Sequence, residues 1–309
     1  MARLTADNLI PPRSAWQPND LYVGISGWTY AGWRGVFYPK KLAHRSELQF
    51  ASHTFNSIEI NGSFYSLQRP SSYQRWYAET PPGFVFSVKG PRFITHMKKL
   101  REVEAPLGNF FASGLLCLRE KLGPILWQFP PNFGWNEERF TDFFNLLPRS
   151  TREAAKVAKN HDDKLKVDPW TKTDANRPVR HVVEIRHPTF MVPEFFALLR
   201  RHNIAFVVAD TAGKWPYAED ITADFVYCRL HGAEQLYVSG YSGEELDWWA
   251  NRIRHWRTGR QPKDAKTVSD RKASGRGNRD VYLYFDNDAK VHAPFNAKGL
   301  VANLEGQSG

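Results

Sequence analysis

Two strand-like stretches of the sequence end in pairs of ionisable residues at two-residue spacing. The stretch FVYCRLHG carries Arg229 and His231, and the stretch HVVEIRH carries Glu184 and Arg186. Side chains two residues apart in a β-strand point to the same side. A guanidinium can grip a carboxylate or phosphate, while a neighbouring carboxylate or imidazole transfers a proton. The two pairs therefore predict an anion-binding, acid–base site at the ends of buried strands.

The same alternation extends this set to other strand ends. Where the aliphatic residues of a strand face a helix layer, as Ile58 and Ile60 would, the polar residues between them face the opposite side. The predicted catalytic residues are Glu59, Glu184, Asp210 and His231. The predicted ligand-binding residues, which include two aromatic residues that could stack on a ring, are Ser26, Trp28, Asn61, Tyr65, Lys89, Gln128, Arg186, Arg229 and Asn287. On the last strand the sequence does not decide between Asp286 and Asn287.

A buried network of charges is the alternative to a ligand pocket. Isolated buried charges are costly, so these groups must either pair with one another or face a wet cavity. Glu184 paired with Arg229 would be such a network. The role of His96, which follows the third strand, is also undecided. It is either a site residue or a histidine at a helix start or on the surface.

Strand-like and helix-like patterns alternate along the 309 residues. Eight segments rich in β-branched and aromatic residues are predicted strands, at 22–28, 56–62, 84–90, 124–130, 181–187, 204–210, 225–232 and 281–288. Helical patterns occupy 71–80, 136–147, 193–203 and 242–256, and Ser242 and Glu245 have the spacing of a capping box. Eight strand–helix units predict an α/β fold, a single TIM-type (β/α)8 barrel with polar loop insertions. A doubly wound sheet is the alternative.

Several phrases of the sequence together resemble the YecE-like family, also called domain of unknown function 72. They include GISGWTYAGWRGVFYP (24–39), TFNSIEINGSFY (54–65), LGPILWQFPPNF (122–133) and YFDNDAKVHAPFNA (284–297). The resemblance runs from about residue 21 to 305 and implies a TIM-type barrel. It implies no reaction, because the biochemical function of the family is not established. We therefore expect one domain over residues 1–309, with the barrel core at about 21–305.

The net charge of +10 is confined to two segments. Residues 149–180 carry nine Lys/Arg and five Asp/Glu, and residues 257–279 carry eight and two, so the rest of the chain has 25 of each sign. We expect these basic polar insertions to be solvated loops, dispensable for folding and for the central site. Nonspecific nucleic-acid binding through them is the alternative.

Two further features of the sequence concern the cellular compartment of the protein. No apolar run reaches the roughly 20 residues of a membrane span, and the first residues lack an apolar signal core, so we expect a cytoplasmic protein without membrane contact. Cys117 and Cys228 have apolar neighbours and are expected to be buried thiols.

These observations favour an enzyme of the hydrolase or lyase type acting on a small anionic ligand. A metal-dependent phosphodiesterase or endonuclease-like barrel on nucleic acid is one alternative, and a noncatalytic ligand sensor is another. No HxxxH or CxxC spacing supports a metal, and Lys89, Arg186 and Arg229 would repel a cation. The sequence identifies no cofactor.

Overall fold

Eight parallel strands form a closed barrel in the computed structural model, which describes residues 20–270 and 277–306. The strands are β1 (Leu21–Ser26), β2 (Ser57–Ile60), β3 (Val85–Lys89), β4 (Leu122–Gln128), β5 (His181–Glu184), β6 (Ala205–Asp210), β7 (Phe225–Leu230) and β8 (Asp280–Phe285). Each strand pairs with the next, and β8 pairs with β1 from Leu21↔Val281 to Ile25↔Phe285. The predicted TIM-type barrel is confirmed, and the open doubly wound sheet is excluded.

Helices follow most of the strands and cover the outside of the barrel. They are α1 (Glu47–Thr54), α2 (Gly62–Tyr65), α3 (Pro70–Glu79), α4 (Glu104–Ala112), α5 (Glu137–Leu146), α6 (Thr151–Ala158), α7 (Pro193–Arg201), α8 (Gly243–Arg257) and α9 (His292–Glu305). Shorter 3₁₀ turns occupy Ala31–Trp33, His44–Ser46, Leu115–Lys121 and Pro188–Phe190, and a π-helical turn spans Phe93–Met97. The β6–β7 connection, residues 211–224, contains no helix, so the expected count of eight strand–helix units is one too high.

Local sequence signals account for the helix ends. Ser242 and Glu245 form the predicted capping box: the Ser242 hydroxyl accepts from the Glu245 amide at 3.2 Å, and the Ser242 amide donates to Oε2 of Glu245 at 2.7 Å. Pro193 occupies the first turn of α7, where the missing amide hydrogen is not needed. These signals fix the helices that pack against the strands.

Side chains alternate between two layers along each strand. The outward layer is aliphatic and aromatic and packs beneath the helices. The inward layer fills the barrel with a separate cluster, formed by Leu126, Val182, Ala205, Val207, Ala209, Phe225, Tyr227, Tyr282 and Tyr284. Two of its tyrosine hydroxyls have partners within the barrel, since that of Tyr227 lies 2.6 Å from the Ser87 hydroxyl and that of Tyr284 lies 2.6 Å from the Ser57 hydroxyl. The barrel interior is therefore a packed core below the C-terminal ends of the strands.

The described parts of the two basic segments are more ordered than expected, and residues 271–276 of the second segment lie outside the described residues. Residues 149–180 include α6, whose cap is Ser150, and the Trp170 amide donates to the Ala112 carbonyl at 2.8 Å. The expectation of a solvated loop is therefore wrong for this part of the segment. The apolar face of α6 was not recognised because lysine and arginine dominate the composition around it. The two cysteines are free and buried, as predicted.

The second basic segment covers the β6–β7 connection that lacks a helix. The Glu219 amide donates to the Lys266 carbonyl at 2.7 Å, and the Glu219 carboxylate accepts from the Lys266 amide at 3.2 Å. Buried Asp220 accepts from the Val268 amide at 2.7 Å, from Ser269 and from Arg200 at 3.2 Å. Residues 266–269 thus pack on the β6–β7 connection and are not a solvated loop, and dispensability of the segment for folding stays a prediction that a shortened chain would test.

Replacing Asp220 with alanine is expected to destabilise the protein by about 2–3 kcal/mol, because buried donors lose a charged acceptor. The measurement is urea unfolding followed by circular dichroism. Asp270→Ala is the matched control, since Asp270 is exposed in the same segment. Equal stability of the two variants would show that the segment is not anchored through Asp220.

Candidate functional site

Arg229 lies at the centre of a buried charge network at the C-terminal ends of the strands. Its guanidinium binds Glu59 through two bonds, Nη2–Oε1 at 2.8 Å and Nε–Oε2 at 3.1 Å. Nη1 donates to Glu184 at 2.8 Å and approaches Nε2 of His231 at 3.3 Å, while Nη2 also donates to Asp286 at 2.8 Å. The five N–H groups of the guanidinium therefore all have acceptors within the protein.

This arrangement corrects two expectations about the site. Arg229 and Glu59 are both fully buried. Glu59 also accepts from the Ser26 hydroxyl at 2.8 Å and from the Tyr227 hydroxyl at 2.6 Å. Arg229 has no donor left for a ligand anion, and Glu59 has no exposed oxygen for proton transfer. For Arg229, Glu59 and Ser26, the alternative of a structural network agrees with the geometry.

Glu184 connects the network to Arg186 at the surface of the mouth. Burial alone would raise the pKa of Glu184, but Arg229 and Arg186 outweigh it and hold this pKa well below its usual range. Arg186 Nε donates to Glu184 at 3.1 Å, and Nη2 donates to the Tyr237 hydroxyl at 3.2 Å. The guanidinium carbon lies 3.6 Å from the centre of the Trp215 ring, and the side chain is 13% exposed. These contacts fix the orientation of Arg186, and part of its side chain stays exposed to solvent.

His231 is buried between Arg229 and Asp286. Because Arg229 donates to Nε2, the proton of a neutral His231 belongs on Nδ1, which lies 3.0 Å from Oδ2 of Asp286. Alternation along β7 places His231 on the same side as Arg229, as predicted. It also places both residues beside the end of β8.

Two carboxyl groups after β8 have opposite protonation preferences. Burial would raise the pKa of Asp286, but Arg229 and the contact with His231 hold it at about 2. Burial and the negative charge of Asp286 raise the pKa of Asp288 to about 8, although a contact with Tyr30 opposes this. Asp286 is therefore ionised at neutral pH, while Asp288 holds its proton. Pairs separated in this way are typical of acid–base sites.

Lys89 points into the mouth from the end of β3. It is 8% exposed, and Nζ lies 4.4 Å from the centre of the Phe64 ring. Gly90 follows it because a Cβ there would lie 2.5 Å from the Trp127 ring. Burial and the charge of Arg229 lower the pKa of Lys89 to about 8. The side-chain direction is as predicted, and Phe86 and Val88 lie in the outward layer.

His96 and Tyr65 lie near Lys89 at the rim. Burial, Lys89 and Arg186 lower the pKa of His96 to about 4, so this ring is neutral and close to both cations. Phe64 packs edge-on against His96 and against Tyr65, which is 69% exposed beside Arg92. The rim therefore combines positive charge with aromatic surface.

Asp210 does not point into the barrel, contrary to the prediction. Ala205, Val207 and Ala209 take the inward positions of β6, so Asp210 shares the outward side with Phe206 and Val208. Its carboxylate accepts from the Tyr241 hydroxyl at 3.0 Å and lines a separate groove of about 390 Å³ with α8. The stretch IAFVVAD is apolar at both alternate positions, so alternation could not identify its inward face.

Four remaining predicted residues make no hydrogen bond to Arg229. Asn287 donates to the Ser239 carbonyl and to Asn296, each at 3.0 Å, so Asp286 and not Asn287 reaches Arg229. Trp28 packs edge-on against Trp76 in the apolar layer. Gln128 is buried at the end of β4, and Asn61 is half-buried before α2.

Nearly the whole chain matches a single protein family. The family model described as a protein of unknown function, DUF72, matches residues 22–309. The chain belongs to the DUF72 family. The resemblance to YecE-like proteins is thereby confirmed.

Relatives of this DUF72 chain share part of its sequence. The UPF0759 protein YunF of Bacillus subtilis is 32% identical over 123 residues, which cover 38% of this chain and 43% of YunF. The UPF0759 protein YecE of Escherichia coli K12 is 30% identical over 129 residues, 41% of this chain and 44% of YecE. The aligned chain thus spans less than half the length of these curated relatives.

A solved structure supports the barrel over most of the DUF72 chain. The DUF72 family protein of Thermotoga maritima matches with a TM-score of 0.68 and 25% identity, covering 92% of this chain and 99% of its own. The family protein of Enterococcus faecalis matches with a TM-score of 0.62 and 16% identity, covering 92% and 95%. The second likeness concerns the fold alone.

The site of this DUF72 chain includes residues that the sequence did not single out. Asp288, Tyr237 and Trp215 were missed, and Asp286 was left undecided. For Asp286 a signal existed. Tyr284 and Tyr282 lie two and four residues before it, so alternation places all three on one face, and the two tyrosines carry hydroxyls suited to the barrel interior. Tyr237 and Trp215 lie in loops, where no periodicity predicts direction.

The carboxylates of the mouth surround the Arg229 guanidinium and not a metal site. Within the described part of the chain, no three or more His, Cys, Asp or Glu side chains converge to hold a metal ion. None of the helices in residues 20–270 and 277–306 has the length and apolar character of a membrane span.

Proposed function

We propose that the chain is an enzyme of the hydrolase or lyase type that acts on a small anionic ligand at the C-terminal mouth of the barrel. The observation that carries this proposal is the pair Asp286 and Asp288. Asp288 has a pKa of about 8, close to neutral pH, because it is half-buried beside an ionised carboxylate. A proton-transfer group works best when its pKa lies near the working pH.

Charge supports an anionic ligand. The carboxylates Glu59, Glu184 and Asp286 are all bonded to Arg229, and the positive charges of Arg186 and Lys89 balance the two negative charges that Arg229 alone leaves. Arg186 is stacked on Trp215 and bonded to Glu184, so its orientation is fixed before a ligand arrives. A planar carboxylate or a phosphate suits such a guanidinium.

The roles follow from these positions. Arg186 would hold the anionic group, with neutral His96 and the aromatic rim around it. Asp288 would donate or accept the proton at the reacting atom. Asp286, kept ionised by Arg229 and His231, would maintain the high pKa of Asp288. Loss of binding without loss of folding is therefore expected when Arg186 is replaced.

Arg186→Gln is expected to weaken binding of malonate or inorganic phosphate by roughly 10- to 100-fold, because one charge-assisted hydrogen bond is lost. Calorimetric titration of the parent and the variant measures this change. Folding should be little affected, since Glu184 keeps its bond to Arg229. Arg45→Gln is the control, because it removes the same charge from an exposed side chain.

Unchanged affinity of Arg186→Gln for both anions would contradict the proposed ligand site. Conversion of a bound compound to product distinguishes an enzyme from a noncatalytic sensor. Carboxylates and phosphates that bind the parent should be converted by it and not by Asp288→Asn, with products followed by NMR. Binding without conversion by the parent would favour the sensor.

A further inference from the structure

Lys89 differs from three other buried cations, Arg229, Arg252 and Lys121. Arg229 and Arg252 are ion-paired, and the Lys121 ammonium donates to the Tyr77 and Thr80 carbonyls at 2.6 and 2.7 Å. Within the described residues, no carboxylate lies within 4.0 Å of Lys89 Nζ, although this residue is 8% exposed. A buried ammonium without an ion pair is costly, and such residues are frequently functional.

The network around Arg229 explains why Lys89 has no ion pair. Glu59, Glu184 and Asp286 act on its charge from a distance, but their oxygens are already bonded to Arg229. The ammonium lies over the face of Phe64, at 4.4 Å from the ring centre. An amine beside a ring and near a second cation resembles the settings in which lysine acts as a nucleophile.

The protonation state is consistent with that role. Burial and Arg229 lower the pKa of Lys89 to about 8, whereas an ordinary lysine has a pKa of about 10.4. At neutral pH the neutral fraction of the amine is therefore on the order of 100-fold larger than that of a surface lysine. Only the neutral amine attacks a carbonyl carbon.

We infer that Lys89 forms an imine with its substrate, which makes the substrate class a small carbonyl compound that carries a carboxylate or phosphate. The lysine nitrogen bonds to the carbonyl carbon, and the nitrogen proton moves to the carbonyl oxygen to give a carbinolamine. Loss of the hydroxyl with a second nitrogen proton releases one water and leaves the C=N bond. The overall change is amine plus carbonyl to imine plus water, and no oxidant or reductant is needed.

This inference rests on the proposed function, because Arg186 would hold the anionic group while Lys89 reaches the carbonyl. It also narrows the reaction to the lyase type. An imine withdraws electrons from the adjacent carbon, so a proton or a carbon–carbon bond there is broken more easily. Asp288 would then exchange the proton.

Reductive trapping tests the inference on the full chain. The protein is incubated at pH 7 with sodium cyanoborohydride and either glyoxylate, an anionic carbonyl, or acetaldehyde, a neutral one. Peptide mass spectrometry then locates carboxymethyl- or ethyl-lysine. Lys89 is expected to be labelled roughly 10-fold faster than Lys41 and Lys298, since its larger neutral fraction outweighs its limited access. Both reference lysines are exposed.

Two variants separate the imine from anion binding. Lys89→Arg keeps the charge but cannot form the imine, so it should still bind malonate and lose the fast-labelled site. Arg186→Gln should slow labelling by glyoxylate at limiting concentration and leave labelling by acetaldehyde unchanged. If Lys89 reacts no faster than Lys41 with both aldehydes while malonate still binds, the inference is overturned and the proposed anion site stands. Fast labelling by acetaldehyde without malonate binding would instead support the nucleophile and contradict the anion site.

Discussion

Replacing Arg229 with methionine is expected to destabilise the protein by about 3–5 kcal/mol at pH 7, the usual cost of breaking a buried ion pair from one side. Three carboxylates, from Glu59, Glu184 and Asp286, would lose their shared cation. Domains commonly have an unfolding free energy of about 5–15 kcal/mol, so this change would remove a large fraction of the stability of the protein. Urea unfolding followed by circular dichroism measures the change.

The pH dependence of that loss is part of the prediction. The pKa of Asp286 is depressed to about 2 in the parent, so its stabilising contribution is present above about pH 4 and is lost as pH falls towards 2. In the variant Glu59 and Asp286 lose their arginine partner, Glu184 keeps only Arg186, and these buried carboxylates can take up protons instead. The difference in unfolding free energy between parent and variant should therefore shrink as pH falls from about 7 to about 4.

Arg186→Met is the matched control for Arg229→Met. Arg186 bonds to Glu184, but Glu184 keeps its 2.8 Å bond to Arg229 when Arg186 is removed. Because Glu184 keeps one cation, the loss should be smaller for Arg186→Met than for Arg229→Met. Equal losses for the two variants would show that Arg229 is not the centre of the network.

Asp288→Asn is expected to stabilise the protein at neutral and alkaline pH. The folded state raises the pKa of Asp288 to about 8, so this carboxyl opposes folding at any pH above its ordinary pKa. The native state binds the extra proton, and stability therefore falls as pH rises between about 4 and 8. The amide of the variant does not titrate, so this fall is absent from its stability curve.

The advantage of Asp288→Asn over the parent should grow by up to about 1.4 kcal/mol per pH unit across that window and vanish near pH 4. Unfolding curves at several pH values measure it. Asp247→Asn, on the exposed side of α8, should show no such trend. A difference between Asp288→Asn and the parent that is constant with pH would mean that Asp288 is ionised in the folded state.

The barrel and much of its inward face could be predicted from alternation. On β2, β5 and β7, outward aliphatic residues such as Ile58 and Val183 identified the polar positions between them. On β6, Phe206, Val207 and Val208 are all apolar, and the direction of Asp210 was set by packing that no local pattern contains. The covering of the β6–β7 connection by residues 266–269 was also unpredictable, because those residues are distant in sequence.

The partners of the charges were not predictable for a different reason. Arg229 is on β7, whereas its carboxylates come from β2, β5 and the end of β8. Only closure of the barrel brings these side chains to one point. Sequence spacing indicated which groups face inward, but it could not show that Arg229 would be fully used within the protein.

The tyrosine-filled interior of the barrel limits how a small molecule can reach the site. Tyr282 stacks on Tyr22 at 4.6 Å, and Tyr227 and Tyr284 fill the layer above. These rings close the axis beneath the charge network and separate the mouth from the opposite end of the described barrel. Within the described residues, a small molecule that binds Arg186 would therefore enter and leave on the side of the C-terminal mouth and could not pass along the barrel axis.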